Sequence, residues 1–502
     1  MRRLAILSAA VFGTALALHA QSTAPSIPRT WDEEAVAGLE VPLANPAFSP
    51  AHVTADYYYR MRVRPIYRSY PVYPPGREPE GYMDWLRQQE PEIAFDAAAL
   101  RTEEDWIRAG ELVFDAPILY EDIETTPARD PEFYARSGIL TAADGTMPYK
   151  RYVIREKGKV EVGNLSCGQC HTRVMPDGLV LKGAQGNFPE GHFFAARPRR
   201  LLANGGDAAE VLARLRRTLR QFYGAPWVGQ PPPEGRAGIT LAEILDAWEV
   251  SPPGVAIRQG TSLLMPVQVP DLIGVKDRKY LDHTGLVRHR SIGDMMRYAA
   301  INQGVQDLAS YGGFVPVGRD FRHVPEPQTR TRYSDEQLYA LAKFIYSLEP
   351  PPNPNVFDAT AAAGQAVFRR EGCASCHRQP HYTNNRLTPA VGFEIPDGHT
   401  RLFDITRRSV GTDPTAALAT RRGTGYYKVP SLRGLWYRGP FEHNGSVATL
   451  EDWFDRKRLR DDFVPAHHPG ARPRPRAVKG HEFGLDLSAA DKKALIAFLK
   501  TL

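Results

Sequence analysis

The sequence contains two copies of one short pattern, CGQCH at residues 167–171 and CASCH at residues 373–377. Together they use all four cysteines of the 502-residue chain. C-x-x-C-H is the attachment pattern of c-type haem, in which two thiols form thioether bonds to the porphyrin and the histidine binds the iron. The chain is therefore predicted to hold two covalent haems. Their attachment cysteines and axial histidines are Cys167, Cys170 and His171 for haem 1, and Cys373, Cys376 and His377 for haem 2.

Two other uses of paired cysteines fit this pattern less well. A zinc site built from two C-x-x-C pairs usually separates them by roughly 15 to 20 residues, whereas these pairs lie 206 residues apart. A disulfide within C-x-x-C is usually catalytic, and a histidine after each pair has no structural purpose in that case. Haem attachment accounts for both the cysteines and the histidines.

The composition is that of a globular protein, with 42% hydrophobic and 24% charged residues. Two arginines, an apolar run from Leu4 to Leu18 and a small residue at position 20 open the chain, which is typical of a signal peptide. We therefore expect a periplasmic or secreted protein without a membrane span. The basic run from Arg214 to Arg220 is typical of the solvated face of an amphipathic helix, so no nucleic-acid partner is expected.

A long-range repeat organises the rest of the chain. After each haem pattern comes a Val-Pro segment, VPDLIG or VPSLRG, and then a His-x-Gly segment. Six positions match at one constant offset of 160 residues. They are Val269, Pro270, Leu272, Gly274, His283 and Gly285, with the counterparts Val429, Pro430, Leu432, Gly434, His443 and Gly445. The repeat predicts two similar haem-binding halves, and it places His283 and His443 in the haem surroundings.

Each half also has a helix before its haem pattern and a helix at its end. The segments AGELVF and AGQAVF have the apolar spacing of the first kind of helix. SDEQLYALAKFIYSL from Ser334 and SAADKKALIAFLKTL from Ser488 are predicted closing helices, each with a serine N-cap. Gly110 and Gly364 favour a close crossing between the first helix and the closing helix of each half.

The predicted fold is mainly α, with two cytochrome-c-like haem domains that carry long loop insertions. The first domain is enlarged, because Cys167 lies 57 residues after Gly110 whereas Cys373 lies nine residues after Gly364. Extra protein commonly builds a pocket, so we expect the reactive haem in the first domain. The predicted segments are a signal peptide (1–20), a Pro- and Tyr-rich extension (21–100), haem domain 1 (101–349), a linker (350–356) and haem domain 2 (357–502).

The sixth ligand of each iron separates electron carriers from reactive sites. The last methionine of the sequence is Met296, so no later residue can supply a thioether to haem 2. His481 is the preferred sixth ligand of haem 2. The alternatives are His399, His443, His467 and His468. For haem 1, an open or exchangeable sixth position is predicted, because none of its candidates stands out. These candidates are His192, His283, His289, His323, Met265, Met295 and Met296.

The two haem patterns and the segment KVPSLRGLWYRGPFEHNGSVATLEDWFD, residues 428–455, resemble the bacterial dihaem cytochrome c peroxidase superfamily. The resemblance implies helical domains, a reactive N-terminal haem and an electron-transferring C-terminal haem. Where such peroxidases usually have a methionine ligand, this chain has Lys457. It is closer in appearance to the rubber oxygenases, which cleave polyisoprene with dioxygen and have a bis-histidine second haem. The resemblance also implies a tryptophan relay between the haems, with Trp248 as the first candidate and Trp436 as the second.

The predicted function is that of a haem-dependent oxidoreductase, peroxidase- or oxygenase-like. It is expected to bind dioxygen or peroxide at haem 1 and to exchange electrons between haem 1 and haem 2. The alternative is a non-catalytic dihaem electron-transfer protein. Besides the small oxidant, the expected partners are a redox protein or an apolar organic substrate. The predicted cofactors are the two c-type haems, and the sequence has no readable motif for calcium.

Overall fold

The computed structural model describes residues 25–223, 240–256, 266–312, 331–420, 422–465, 475 and 477–502. The predicted signal peptide, residues 1–20, lies outside the described residues. Within the described ranges, none of the helices combines the length and the apolar character that crossing a bilayer requires.

Helices are the main regular secondary structure of the described chain, which agrees with the predicted helical character. Its α-helices are α1 (Glu33–Ala37), α2 (Ala55–Arg60), α3 (Tyr82–Gln88), α4 (Glu103–Asp115), α5 (Pro131–Ser137), α6 (Cys167–Cys170), α7 (Glu190–Ala203), α8 (Ala208–Tyr223), α9 (Leu241–Glu249), α10 (Ile292–Leu308), α11 (Asp335–Ser347), α12 (Ala359–Arg370), α13 (His399–Leu402), α14 (Thr415–Leu418), α15 (Leu450–Trp453) and α16 (Ala489–Lys500). Short 3₁₀ helices lie at Pro46–Phe48, Ala97–Ala99, Pro127–Arg129, Val275–Asp277, Cys373–Ser375 and Arg456–Leu459.

The strands are short. They are β1 (Pro50–His52), β2 (Arg62–Val63), β3 (Ser69–Pro71), β4 (Leu119–Asp122), β5 (Arg151–Glu156), β6 (Lys159–Asn164), β7 (Thr172–Val174), β8 (Val180–Lys182), β9 (Val255–Ala256), β10 (Val267–Gln268), β11 (Tyr280–Leu281), β12 (Val287–Arg288), β13 (Ala309–Tyr311), β14 (Thr331–Arg332), β15 (Leu387–Pro389) and β16 (Tyr426–Lys428). Most of them pair two by two, and one antiparallel sheet has four strands in the order β3-β5-β6-β4.

Two crossed helix pairs form the framework on which the haem patterns are placed. Helix α4 packs against α11 in the first half, and α12 packs against α16 in the second. A Cβ atom at Gly110 would lie 2.7 Å from Cβ of Phe344, and one at Gly364 would lie 2.8 Å from Cβ of Phe498. Only glycine lets the helices approach this closely, so the crossings predicted at both glycines are confirmed.

The enlargement of the first half is a folded insertion with a core of its own. Three strands of the four-stranded sheet, β4 to β6, and helix α5 lie between α4 and the first haem pattern, and helices α7 to α9 follow that pattern. Tyr149 just before β5 and Tyr152 within it pack with Phe133 of α5 and Phe193 of α7 in one buried cluster. The insertion therefore adds a second layer next to the first haem pattern.

The described part of the Pro- and Tyr-rich extension is built into the first half. Trp31 is fully buried and stacks on Tyr58, with ring centres 4.8 Å apart. Strand β1 pairs with β13, and β2 pairs in parallel with β14. Residues 25–100 therefore complete the core of the first half, and the sequence did not indicate this role.

The two halves meet at equivalent elements of the repeat. Strand pair β9–β10 precedes the first Val-Pro segment, and pair β15–β16 precedes the second. A side chain at Gly285 would collide with Leu387 of the second half, and one at Gly445 would collide with Val255 of the first half. Each His-x-Gly segment thus packs on a strand of the opposite half, which brings the two haem patterns to either side of one contact region.

Candidate haem sites

The first haem pattern lies on the short helix α6. Ser166 caps this helix, since its hydroxyl accepts a hydrogen bond from the backbone N–H of Gln169 at 2.9 Å. The Nδ1 atom of His171 lies 3.0 Å from the carbonyl oxygen of Pro270, the proline of the first Val-Pro segment. Cys167, Cys170 and His171 line a cavity of about 140 Å³, here called the N-cavity.

The second haem pattern forms a 3₁₀ turn after Gly372, whose φ is 74°. The Nδ1 atom of His377 lies 3.1 Å from the carbonyl oxygen of Tyr382, and the backbone of Pro430 also hydrogen-bonds this histidine. Cys373, Cys376 and His377 line a cavity of about 260 Å³, the C-cavity. In each half, a backbone carbonyl oxygen close to Nδ1 orients the histidine ring and favours the tautomer that leaves Nε2 for a metal.

His481 lies across the C-cavity from His377. The centres of the two imidazole rings are 6.4 Å apart. Two imidazoles that bind one metal ion from opposite sides have ring centres roughly 6 Å apart, because each metal–nitrogen bond is about 2 Å long. Burial, together with His377 and Arg458, lowers the pKa of His481 to about 3, so its ring is neutral and its lone pair is available. The residues of the C-cavity thus fit an iron porphyrin with a histidine on each face.

Arg458 fixes the loop that carries His481. Its side chain is completely buried, and it donates hydrogen bonds to the carbonyl oxygens of Gly480 and His481 at 3.1 and 2.9 Å. It also donates to the carbonyl oxygen of Trp453 at 2.8 Å, and the Trp453 ring contacts His481 edge-on. The neighbouring Lys457, which stands at the methionine position of the peroxidases, has a side chain that is 77% exposed.

Four residues line both cavities and form what we call the shared wall: Gln268, His283, Lys428 and His443. They are two pairs of repeat positions, 160 residues apart. The backbone N–H of Gln268 donates to the carbonyl oxygen of His443 at 2.9 Å, and the N–H of Lys428 donates to that of His283 at 3.0 Å. The hydrogen bonds between the halves are therefore reciprocal, and the predicted haem-environment residues His283 and His443 lie between the cavities.

Burial dominates the electrostatics of the shared wall. It lowers the pKa of His283, and together with His283 it lowers the pKa of His443 to about 4. Burial and the nearby Arg278 lower the pKa of Lys428 to about 7. At neutral pH both histidines are therefore uncharged.

Helix α10 forms one side of the N-cavity with residues at helical spacing. They are Met295, Tyr298, Ala299, Asn302 and Gln303. Arg422 of the second half also lines this cavity, forms an ion pair with Asp282 and donates to Oδ1 of Asn302 at 2.6 Å. Among the described lining residues, the histidines other than His171 are the two of the shared wall. The N-cavity thus offers polar side chains where the C-cavity offers a second histidine.

The remaining candidate ligands have other surroundings. His289 is hydrogen-bonded through both ring nitrogens, to the carbonyl oxygen of Arg278 and to the hydroxyl of Tyr346. His399 packs on Phe403. His192 lies in α7, and Met296 belongs to the core of the first half, whereas Met295 lines the N-cavity. The candidates outside the described residues are Met265, His323, His467 and His468.

Neither tryptophan named as a relay is among the described residues that line the two cavities. Trp248 packs with Ala195, Ile244 and Leu245 in a cluster between α7 and α9. Trp436 packs against the Leu181 and Tyr437 cluster. A relay role for either tryptophan stays a prediction.

The surroundings of the four cysteines can be compared with the uses considered for them. None of the four, all of which are described, forms a disulfide. The two pairs line different cavities, so they do not combine into one zinc site. Paired thiols, an oriented histidine and an apolar cavity occur together twice, and this combination fits a c-type haem in each cavity.

Two residues of the shared wall and Arg458 were missed by sequence reasoning. Gln268 and Lys428 occupy equivalent positions of the repeat but differ in residue type. A comparison of the two halves that looks only for identical residues therefore does not detect them. The offset of 160 residues was the signal that could have found them. Arg458 had no comparable signal, since a buried arginine cannot be told from its exposed neighbours by sequence.

Comparison with known proteins finds relatives that are named as cytochrome-c peroxidases or as MauG. No family model matches the chain. Cytochrome-c peroxidase IdrP1 of Denitromonas iodatirespirans is 30% identical over 162 residues, which is 29% of this chain and 40% of that protein. Methylamine utilization protein MauG of Methylorubrum extorquens is 25% identical over 205 residues, 39% of this chain and 51% of that protein. Cytochrome-c peroxidase IdrP2 of a Pseudomonas species is 28% identical over 189 residues, 32% of this chain and 47% of that protein.

The chain thus spans about half, or less, of the length of the curated relatives that it matches. These relatives confirm the predicted resemblance to the dihaem cytochrome c peroxidase superfamily. The likeness to rubber oxygenases stays a prediction.

Two solved structures align loosely with the chain. A hydrazine synthase of Kuenenia stuttgartiensis gives a TM-score of 0.28 at 16% identity, over 57% of this chain and 86% of that chain. A MauG-like protein associated with microbial copper homeostasis gives a TM-score of 0.21 at 23% identity, over 34% of this chain and 56% of that chain. Neither overlay is close enough to define the fold.

Proposed function

We propose that this chain is an exported dihaem c-type oxidoreductase with one haem in each cavity. A small oxidant, dioxygen or peroxide, enters the N-cavity, and the C-cavity supplies or receives electrons. When bound, the haems supply the one-electron redox chemistry. The residues that hold them are Cys167, Cys170 and His171 in the N-cavity, and Cys373, Cys376, His377 and His481 in the C-cavity.

The difference between the two cavities carries this proposal. In the C-cavity, the ring centres of His481 and His377 are 6.4 Å apart, so both histidines would hold the iron of a haem bound between them. In the N-cavity, the described lining residues include the polar side chains of Tyr298, Asn302 and Gln303, and Nε2 of Gln303 lies 3.3 Å from Sγ of Cys167. These groups can donate hydrogen bonds to a small oxygen ligand without acting as strong metal ligands. The relatives named as peroxidases and MauG support the same chemistry.

The chain's own residues orient and insulate the two sites. The carbonyl oxygens of Pro270 and Tyr382 lie 3.0 and 3.1 Å from Nδ1 of His171 and His377, which favours the tautomer that leaves Nε2 unprotonated. Arg458 holds the loop of His481 in place. The ion pair of Arg422 with Asp282 ties the second half to the wall of the N-cavity. Together these contacts keep one site closed by protein ligands and the other accessible to a ligand.

The test is an absorption and mass measurement on protein matured in a host that attaches c-type haem. Intact mass should exceed the mass of the processed polypeptide by two haems. The reduced protein should bind one carbon monoxide, in the N-cavity, because in the C-cavity His481 would hold the iron together with His377. The His481→Ala variant should bind two, since it opens the second position. His399 lies outside both cavities, so the His399→Ala variant is the matched control. This variant should still bind one carbon monoxide.

Two outcomes would refute parts of this proposal. Protein without added haem mass would exclude the cofactor. Two haems that both ignore carbon monoxide would exclude the oxidant site and leave a non-catalytic electron carrier. Consumption of peroxide or dioxygen by the reduced protein then distinguishes an enzyme from a carrier that merely binds the ligand.

A further inference from the structure

The shared wall lies between the two cavities. Of the described residues, Gln268, His283, Lys428 and His443 are the ones that line both. A direct route for electrons between cofactors in the two cavities would cross this layer. The side chains with delocalised π-electrons in the layer are its two imidazoles.

We propose that electrons pass between the two haems through the imidazole rings of His283 and His443. The inference rests on the proposed function, because it presumes a haem in each cavity. One electron leaves the reduced iron in the C-cavity, which becomes ferric, and reduces the ferric iron in the N-cavity. No bond forms or breaks in this step. The imidazoles provide the route and are unchanged afterwards.

Hydrogen bonds hold the two histidines in fixed positions. The carbonyl oxygens of His283 and His443 each accept a backbone N–H from the opposite half. The Nε2 atom of His283 lies 2.6 Å from the carbonyl oxygen of Gln268, and Gln268 in turn donates to His443. A short chain of hydrogen bonds therefore connects one histidine with the other across the boundary between the halves.

The route continues into the C-cavity on an aromatic ring. The ring of His443 stacks on Tyr427, with ring centres 5.2 Å apart and planes inclined by 29°. Tyr427 itself lines the C-cavity. The route from the N-cavity to the C-cavity thus runs through His283, the backbone of Gln268, His443 and Tyr427.

The residues before the two histidines stabilise their unusual backbone. Asp282 and Glu442 have φ angles of 69° and 64°, in the left-handed region. Asp282 is paired with Arg422, and Glu442 lies 3.8 Å from Arg458. These contacts hold the two segments in their left-handed conformation and so fix where each histidine leaves the backbone.

The charge state of the wall also suits electron passage. Burial keeps both histidines neutral at pH 7, so an electron can pass without uptake or release of a proton at the rings. The tryptophans considered from the sequence lie elsewhere, Trp248 between α7 and α9 and Trp436 near Tyr437. The position of the wall therefore favours the histidines over either tryptophan.

The experiment measures electron redistribution in protein loaded with both haems. The half-reduced protein is saturated with carbon monoxide, the ligand is released by a laser flash, and the absorbance change that follows reports electron movement between the haems. His443→Leu and His283→Leu should each slow this phase by roughly tenfold while the midpoint potentials of both haems stay at their wild-type values. Trp248→Phe is the control and should leave the rate unchanged.

Glutamine variants guard against a loss of folding. His283→Gln and His443→Gln keep polar side chains of similar length but remove the aromatic ring, so they should slow the phase as the leucine variants do. Wild-type rates in variants that carry both haems would overturn the inference, and so would slowing in Trp248→Phe alone. Absence of carbon monoxide binding in the wild type would instead refute the proposed open site. The two failures are therefore distinguishable.

Discussion

Replacing Gly364 by alanine at the close helix crossing should destabilise the protein, although a glycine-to-alanine change usually stabilises a helix. Within an exposed helix, replacing glycine by alanine stabilises by about 1 kcal/mol, since alanine loses less backbone entropy on folding. At Gly364, however, the added Cβ would lie 2.8 Å from Cβ of Phe498 and inside the contact distance of the Ala494 carbonyl group. Nonbonded carbon atoms prefer a separation of about 3.5 Å or more.

The size of the effect follows from these distances. The helices α12 and α16 would have to separate by roughly 1 Å, and overpacking of this kind costs about 1–3 kcal/mol. Because the obstacle includes backbone, which cannot change rotamer, we place the cost at the upper end. Gly364→Ala should therefore lower the free energy of unfolding by about 2 kcal/mol after the propensity gain is subtracted. Gly110→Ala should behave alike, since its Cβ would lie 2.7 Å from Cβ of Phe344.

Urea unfolding of the haem-loaded protein, followed by helical circular dichroism and by haem absorbance, measures this change. Ala363→Gly, on the exposed side of α12, is the control and should cost only the propensity difference of about 1 kcal/mol. In that variant the haem absorbance of the folded protein should stay unchanged. A Gly364→Ala protein as stable as the wild type, or more stable, would contradict the reasoning about the crossing.

Three further predictions concern the haem surroundings. Arg458→Met should release the loop of His481, because it removes the hydrogen bonds to the carbonyl oxygens of Gly480 and His481. Absorption spectra should then show that part of haem 2 is high-spin and binds carbon monoxide. A fully low-spin haem 2 would argue against a holding role for Arg458. Burial raises the pKa of Glu442 to about 7, so the folded state binds this proton more tightly than the unfolded state does. The stability of the wild type should therefore fall as the pH rises from about 4.5 to 7. Glu442→Gln should flatten this dependence, which the urea midpoints measured across that pH range would report. Lys428→Met should lower the haem midpoint potentials at pH 6, where Lys428 is charged, and remove the fall in potential that the wild type should show near pH 7 in spectroelectrochemistry.

Local signals in the sequence were sufficient for the framework of the fold. The serine cap and apolar spacing predicted a helix from Ser334, and the structure has α11 at Asp335–Ser347 with a capping box. The helix predicted from Ser488 is α16, again capped by its serine. The crossings at the two glycines could be predicted because glycine destabilises a helix interior and is favoured there where a neighbouring helix leaves no room for a side chain. These features depend on residues close in sequence, which is why patterns reveal them.

The features that sequence reasoning missed depend on contacts between distant segments. The extension pairs with strands some 250 residues away, as β1 does with β13. Its tyrosines and prolines carry no periodic pattern that would indicate such a partner. The shared wall likewise exists only because residues 160 positions apart meet across the two halves. Trp248 was chosen from its local run, and only the packing of α7 against α9 shows that it lies in a different cluster.

The two cavities differ although their haem patterns and Val-Pro segments are nearly the same. The difference arises at the acidic residue before each wall histidine, Asp282 or Glu442, and at the arginine that pairs with it. Beside Glu442, Arg458 comes from the same half and holds the loop that presents a histidine to the C-cavity. Beside Asp282, Arg422 comes from the opposite half and bonds to α10. The acidic position in the repeat is thus linked to the loop of His481 in the second half and to helix α10 in the first, so the two cavities differ while the attachment turns stay alike.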